Sequence, residues 1–163
     1  MKTVSLRDLI KPKRIEIEDE NVENRYGKFV VEPLERGYGL TLGTAIRRVL
    51  LSSLQGSAIT SLKIDGVMHE FSTIPGVVAD VTQVVLNLKA VVPSLDEKDE
   101  AHLHIDVMGP CDVTAGMITG DPCVSILNPS AHVATLGEGA SLKMELTVKV
   151  GRGYVPADKN KVE

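Results

Sequence analysis

By residue type, Gly37-Tyr38-Gly39-Leu40-Thr41-Leu42-Gly43 is the segment best suited to hold a phosphate. Glycine-rich turns between a strand and a helix can cradle phosphate oxygens on free backbone N–H groups. The spacing here is G-x-G-x-x-x-G, which fits neither the dinucleotide fingerprint nor the P-loop, and no Lys-Ser or Lys-Thr pair follows Gly43. A turn that reorients the chain is the favoured reading, and a small nucleotide-binding enzyme is its rival. His102 and His104 stand two apart, so on a strand they share a face, as two imidazoles must to begin a metal site. A zinc centre needs three or four ligands, and the pair reads as solvated surface. Cys111 and Cys123, the only cysteines, have no CxxC spacing. No G-x-S-x-G elbow is present, and the carboxylates are scattered without a spacing that pairs them. No catalytic, metal-binding or cofactor-binding residue is nominated.

A different chemistry, that of an interface, is suggested by Arg48 and Leu51. At about 100° per residue Leu51 lies opposite Leu42 on a helix, and Arg48 is its i, i+3 neighbour. An apolar side chain beside a guanidinium is a common anchor of protein–protein contacts, although single exposed leucines are frequent.

The element that must carry this pair runs from Thr41 to Gln55. There Leu42, Ala45, Ile46, Val49, Leu50 and Ser53 recur on one face, with Thr41 as N-cap and Gly56 as stop. The spacing predicts a second helix over 77–89, with Val77, Val78, Val81, Val84, Val85 and Leu88 on one face. Elsewhere the period is two. Leu142, Met144, Leu146, Val148 and Val150 alternate with Lys143, Glu145, Thr147 and Lys149, and the run 101–107 repeats the pattern, as do Ile15 with Ile17 and Phe29 with Val31. Asp65-Gly66 predicts a hairpin between Leu62–Ile64 and Val67–Phe71. Asp96-Glu97-Lys98-Asp99-Glu100 reads as a solvated charged turn. The expected class is α+β: mostly antiparallel sheets with two amphipathic helices.

Bulk properties narrow the functions. The chain has 163 residues, 43% hydrophobic and 25% charged, as in a globular domain. No apolar run approaches the ~20 residues of a spanning helix, and charges interrupt the start too soon for a signal peptide. The expectation is a cytoplasmic protein in a reducing compartment, without membrane partners. A net charge of −4, no tryptophan and few other aromatics give neither the basic stripe nor the stacking residues that nucleic-acid binders use.

The run from Val31 to Ser53, Val31-Glu32-Pro33-Leu34-Glu35-Arg36-Gly37-Tyr38-Gly39-Leu40-Thr41-Leu42-Gly43-Thr44-Ala45-Ile46-Arg47-Arg48-Val49-Leu50-Leu51-Ser52-Ser53, resembles the signature of bacterial RNA polymerase alpha subunits. So do Ile64-Asp65-Gly66-Val67-Met68-His69-Glu70-Phe71-Ser72-Thr73, Val85-Leu86-Asn87-Leu88-Lys89 and Gly151-Arg152-Gly153-Tyr154-Val155-Pro156-Ala157. The resemblance covers essentially the whole chain in order. It implies a scaffold without catalytic residues of its own, an enzyme only as a subunit of the nucleotidyltransferase complex. Two alpha chains dimerise and recruit the beta and beta-prime subunits, with no direct DNA contact by this part. The implied division is a first segment of a dimerisation subdomain over 1–53 and an inserted subdomain over 54–163. The family normally continues beyond the position of Glu163, so the resemblance implies a C-terminally truncated chain whose dimerisation is open. Residue by residue it implies a dimer interface at Leu42, Ala45, Ile46, Val49 and Leu50. It implies a beta-subunit contact at Arg48 and Leu51, and a beta-prime-side contact at Lys89. A stand-alone dimeric regulator is the other rival reading.

Overall fold

The computed structural model describes residues 9–20 and 26–160. The chain divides into two compact units, residues 1–51 and 52–163.

In the first unit, β1 (Arg14–Glu20) pairs antiparallel with β2 (Gly27–Glu32), with a register shift between Ile17 and Asp19. Ile15 faces Val31 and Ile17 faces Phe29 across the ladder. The alternation that predicted these strands is therefore the alternation observed. Ile15, Ile17 and Phe29 nevertheless stay more than half exposed. The chain then enters α1 (Tyr38–Ser52).

The second unit holds the core. Its main sheet has the order β3-β10-β5-β7, from β3 (Gln55–Ile64), β10 (Ser141–Arg152), β5 (Glu100–Met108) and β7 (Thr119–Gly120). All its pairings are antiparallel. Two small antiparallel ribbons accompany it: β4 (Pro93–Leu95) with β8 (Val124–Ile126), and β6 (Cys111–Thr114) with β9 (His132–Leu136). The helices are α2 (Val81–Lys89) and the short α3 (Ala157–Asn160), with a 3-10 turn at 115–117. The class is the expected α+β.

Strict alternation in β10 and β5 explains the layering. Leu142, Met144, Leu146 and Val148 are buried, and so are Ala101, Leu103 and Ile105. Leu146 sits between Leu62 of β3 and Leu103 of β5, a continuous apolar rung across three strands. α2 lies against β9 and β3 and buries Val81, Val84 and Leu88 in the same cluster as Val113, Val133 and Leu136. The other face of the sheet is polar. His102 and His104 project there, with His104 Nε2 3.1 Å from Thr119 Oγ1 and His102 4.0 Å from Glu100. Lys143 pairs with Asp106 at 3.0 Å and Lys149 with Glu100 at 3.0 Å.

Three local expectations are corrected. The Asp65-Gly66 turn forms, with Val67 N–H donating to the Ile64 carbonyl, but no hairpin follows. Only Gly66 takes a positive φ, of 76°, which is a type II pattern; two-residue hairpins need positive φ at both centres, or at the first. The strand 55–64 pairs instead with β10, and Met68 and Phe71 are left exposed. The first helix begins three residues earlier than predicted and ends at Ser52, with Gly56 inside β3. Thr41 is within the helix, its hydroxyl donating to the Gly37 carbonyl at 3.4 Å rather than capping. The second helix starts at Val81, because Asp80 accepts a 2.7 Å bond from Gln83 N–H as N-cap. Upstream, Val77 bridges to Leu136 and is held out of the helix.

The charged run 96–100 is exposed, as expected, but Glu100 already belongs to β5, and Lys98 and Glu100 are both anchored. Lys98 Nζ meets Asp121 Oδ2 at 2.5 Å, and Cys123 N–H donates to Asp121 Oδ1 at 3.0 Å. The lysine's hydrogen bond, then the backbone N–H, hold the Asp121 carboxyl down from 3.8 to about 2. Among the described residues no helix is long and apolar enough to cross a membrane.

Candidate assembly interface

α1 holds four leucines, two arginines and one alanine, all good helix formers, and its β-branched residues Thr41, Thr44, Ile46 and Val49 are never adjacent. Its entry is set by Gly37, at φ 85°, a conformation glycine adopts without steric cost. Tyr38 N–H donates to Glu35 O at 3.0 Å, closing the turn into the helix. This placement also decides the phosphate question raised by the sequence. Gly39 and Gly43 lie inside the helix, not in a loop, and only Gly37 stands outside it. No strand-to-helix loop of free N–H groups exists between Gly37 and Gly43, and the nucleotide-binding reading has no support.

The helix has no buried residue at all. Leu42, Ala45, Ile46, Val49 and Leu50 share one face by helical period, and all are exposed: Leu42 by 36%, Ile46 by 54%, Val49 by 53% and Leu50 by 56%. An apolar stripe of this length, left in solvent, is the usual mark of a protein–protein surface. Leu51, at 59% exposure, and Arg48, also exposed, lie away from that stripe and one turn apart. The helix is thus apolar on one side and mixed on the other, and water reaches both.

Lys89 belongs to the second unit and is the last residue of α2. It is exposed, and a cation at a helix C-terminus is favourably placed against the backbone dipole. Two asparagines that the helical and strand periods did not single out fix the backbone around it. Asn128 Nδ2 donates to the Ala90 carbonyl at 2.8 Å, and its Oδ1 accepts from Val92 N–H at 2.8 Å. Asn87 Nδ2 donates to the Val133 carbonyl at 2.9 Å, and its Oδ1 accepts from Gln83 at 3.0 Å. The Asn128-Pro129 pair is a turn signal in the sequence, but its long-range partners, 38 and 36 residues away, leave no local trace.

The remaining candidates stay apart. Among the described residues no three His, Cys, Asp or Glu side chains are grouped to hold a metal ion. Cys111 and Cys123 are half-buried free thiols.

Residues 62–163 match the family model described as the RNA polymerase Rpb3/RpoA insert domain. The chain is 57% identical over 152 residues to a DNA-directed RNA polymerase subunit alpha from Leuconostoc mesenteroides subsp. mesenteroides. It is equally similar, at 57% over 152 residues, to one from Limosilactobacillus reuteri. In each case the match covers 90% of this chain and 48% of the relative. The chain therefore spans about half the length of the curated relatives it matches. Its signature run, its fold and these two relatives agree, and the chain belongs to the family of bacterial RNA polymerase alpha subunits, with that family's insert domain in residues 62–163.

Proposed function

We propose that this chain is a non-catalytic assembly scaffold of a cytoplasmic, bacterial DNA-dependent RNA polymerase. The observation that carries the reading is α1, a fifteen-residue helix with no side chain buried by its own chain. A helix rich in Leu, Ile and Val gains little stability alone in water, and its apolar face requires a partner. In this reading Leu42, Ala45, Ile46, Val49 and Leu50 meet the same stripe of a second alpha chain. Arg48 and Leu51, on the other side, receive the beta subunit, and Lys89 lies on the beta-prime side. Residues 1–53 would then serve dimerisation and 54–163 form the insert. Nucleotidyl transfer belongs to the assembled enzyme, whose reacting groups are supplied by the large subunits.

The reading is tested by co-purification of this chain with the beta subunit, wild type beside Arg48→Ala. Capture by the wild type with loss in the variant is the expected result.

A further inference from the structure

We infer that Asn128 is a positioning residue for Lys89, an inference that rests on the reading of Lys89 as a contact to the beta-prime subunit. The Lys89 side chain makes no hydrogen bond or ion pair among the described residues, so it is available for a partner. A lysine at a helix C-terminus is poorly prepared for that task by itself. The final carbonyls of a helix have no donor within it, and a long side chain on the last helical residue loses entropy when it docks unless the chain beyond it is held.

The structure corrects this from a distance. Asn128, in the turn after β8, donates to the carbonyl of Ala90 and accepts from the N–H of Val92, each at 2.8 Å. Those groups flank the exit of α2 one and three residues beyond Lys89. Leu127 N–H adds a bond to the Val92 carbonyl at 2.9 Å, and Asn87 ties the preceding turn to Val133 of β9. Asn128 is half-buried and both polar ends of its amide are used, so its geometry is fixed by the fold. α2 closes its own last turn, with Ala90 N–H donating to the Asn87 carbonyl at 3.0 Å and Val91 N–H to the Leu88 carbonyl at 3.1 Å. Asn128 adds a hold on the chain that leaves this turn, and so on the backbone from which Lys89 projects. Asn87 contributes to the same end, and among the described residues Asn128 is the side chain that bonds the backbone on the far side of Lys89.

A double-mutant cycle on beta-prime binding, measured with the chain already in complex with beta, separates positioning from bulk stability. Asn128→Ala should weaken binding about threefold to tenfold, the effect of losing a hydrogen-bonded constraint worth about 0.7–1.4 kcal/mol. In a Lys89→Ala background the same change should cost less than about twofold, since no ammonium remains to be aimed. Amide exchange at Val92 should rise in either background. Equal losses in both backgrounds would overturn the inference and leave Asn128 a structural residue. So would unchanged binding in Asn128→Ala once Val92 exchange has risen. Lys89→Ala without effect would instead remove the reading of Lys89, and the positioning role with it. If Asn128→Ala fails to fold, Asn128→Asp serves in its place. It keeps the acceptor for Val92 N–H but turns a carboxylate toward the Ala90 carbonyl, and the same pattern is expected.

Discussion

Replacing Ile46 by Ala on α1 should weaken self-association of the chain without weakening its fold. Ile46 is 54% exposed, so about half of its side chain remains to be covered by a partner. Removing three carbons at about 0.8 kcal/mol each, half of which count, gives roughly 1 kcal/mol per copy. A two-fold symmetric seam contains the residue twice, so the dimer loses about 2 kcal/mol, or roughly a 30-fold rise in Kd. The fold itself is spared because Ile46 is not in the core and Ala is the better helix former. Sedimentation across a concentration series measures the effect, with circular dichroism to check that helix content is kept. A chain that stays monomeric at all concentrations, or a variant with an unchanged dimer constant, would refute the argument that the stripe is the seam. Loss of helix in the variant would show that the face is part of the fold.

In the second unit, Leu146→Ala should lower stability by about 3 kcal/mol, since Leu146 is buried and its removal leaves a cavity between Leu62 and Leu103. That corresponds to a fall in Tm of roughly 10 °C or more, while Glu145→Ala on the opposite face should move it little; equal shifts in a thermal scan would contradict the assigned register. Asp121 makes a pH prediction. Its folded value of about 2 lies below the usual 3.8, so the stability it contributes is present above pH ~4 and lost as pH falls toward 2. Asp121→Asn should therefore lower the urea midpoint near neutrality and flatten its decline between pH ~4 and ~2. Superimposable midpoint curves for the two proteins would rule out the Lys98–Asp121 anchor as a stabilising contact.

How much of this could be read from the sequence depends on whether the deciding contacts were local. The strands β5 and β10 were legible because one face is buried and the other wet, so burial writes a period of two into Ala101–Val107 and Leu142–Val150. The faces of α1 were legible from an apolar stripe at a period of 3.6, although no residue of the helix is buried. Helix ends were less so. Thr41 carries the residue type of an N-cap, but the turn at Glu35–Tyr38 starts the helix earlier. Val77 has the right spacing for α2, yet its bridge to Leu136, far along the chain, removes it. Asp65-Gly66 has the residues of a hairpin turn but the backbone of a type II turn, and β3 finds a better partner in β10. The residues proposed for the alpha and beta contacts lie on a single helix, so spacing was enough to group them, whereas Lys89 lies on α2. What spacing could not supply is the pair of bonds from Asn128 to Ala90 and Val92, just beyond α2, which joins residues 36 and 38 positions apart.

The central claim is that α1 presents Arg48 and Leu51 to the beta subunit while its apolar stripe faces a second alpha chain. The measurement that tests it most directly is the affinity of beta for the immobilised chain, wild type against Arg48→Ala. Loss of a guanidinium that anchors an interface should cost about 2 kcal/mol or more, at least a 30-fold weaker complex, with the circular dichroism spectrum unchanged. Beta binding equally well to Arg48→Ala, or failing to distinguish the wild-type chain from an unrelated protein, would contradict the account.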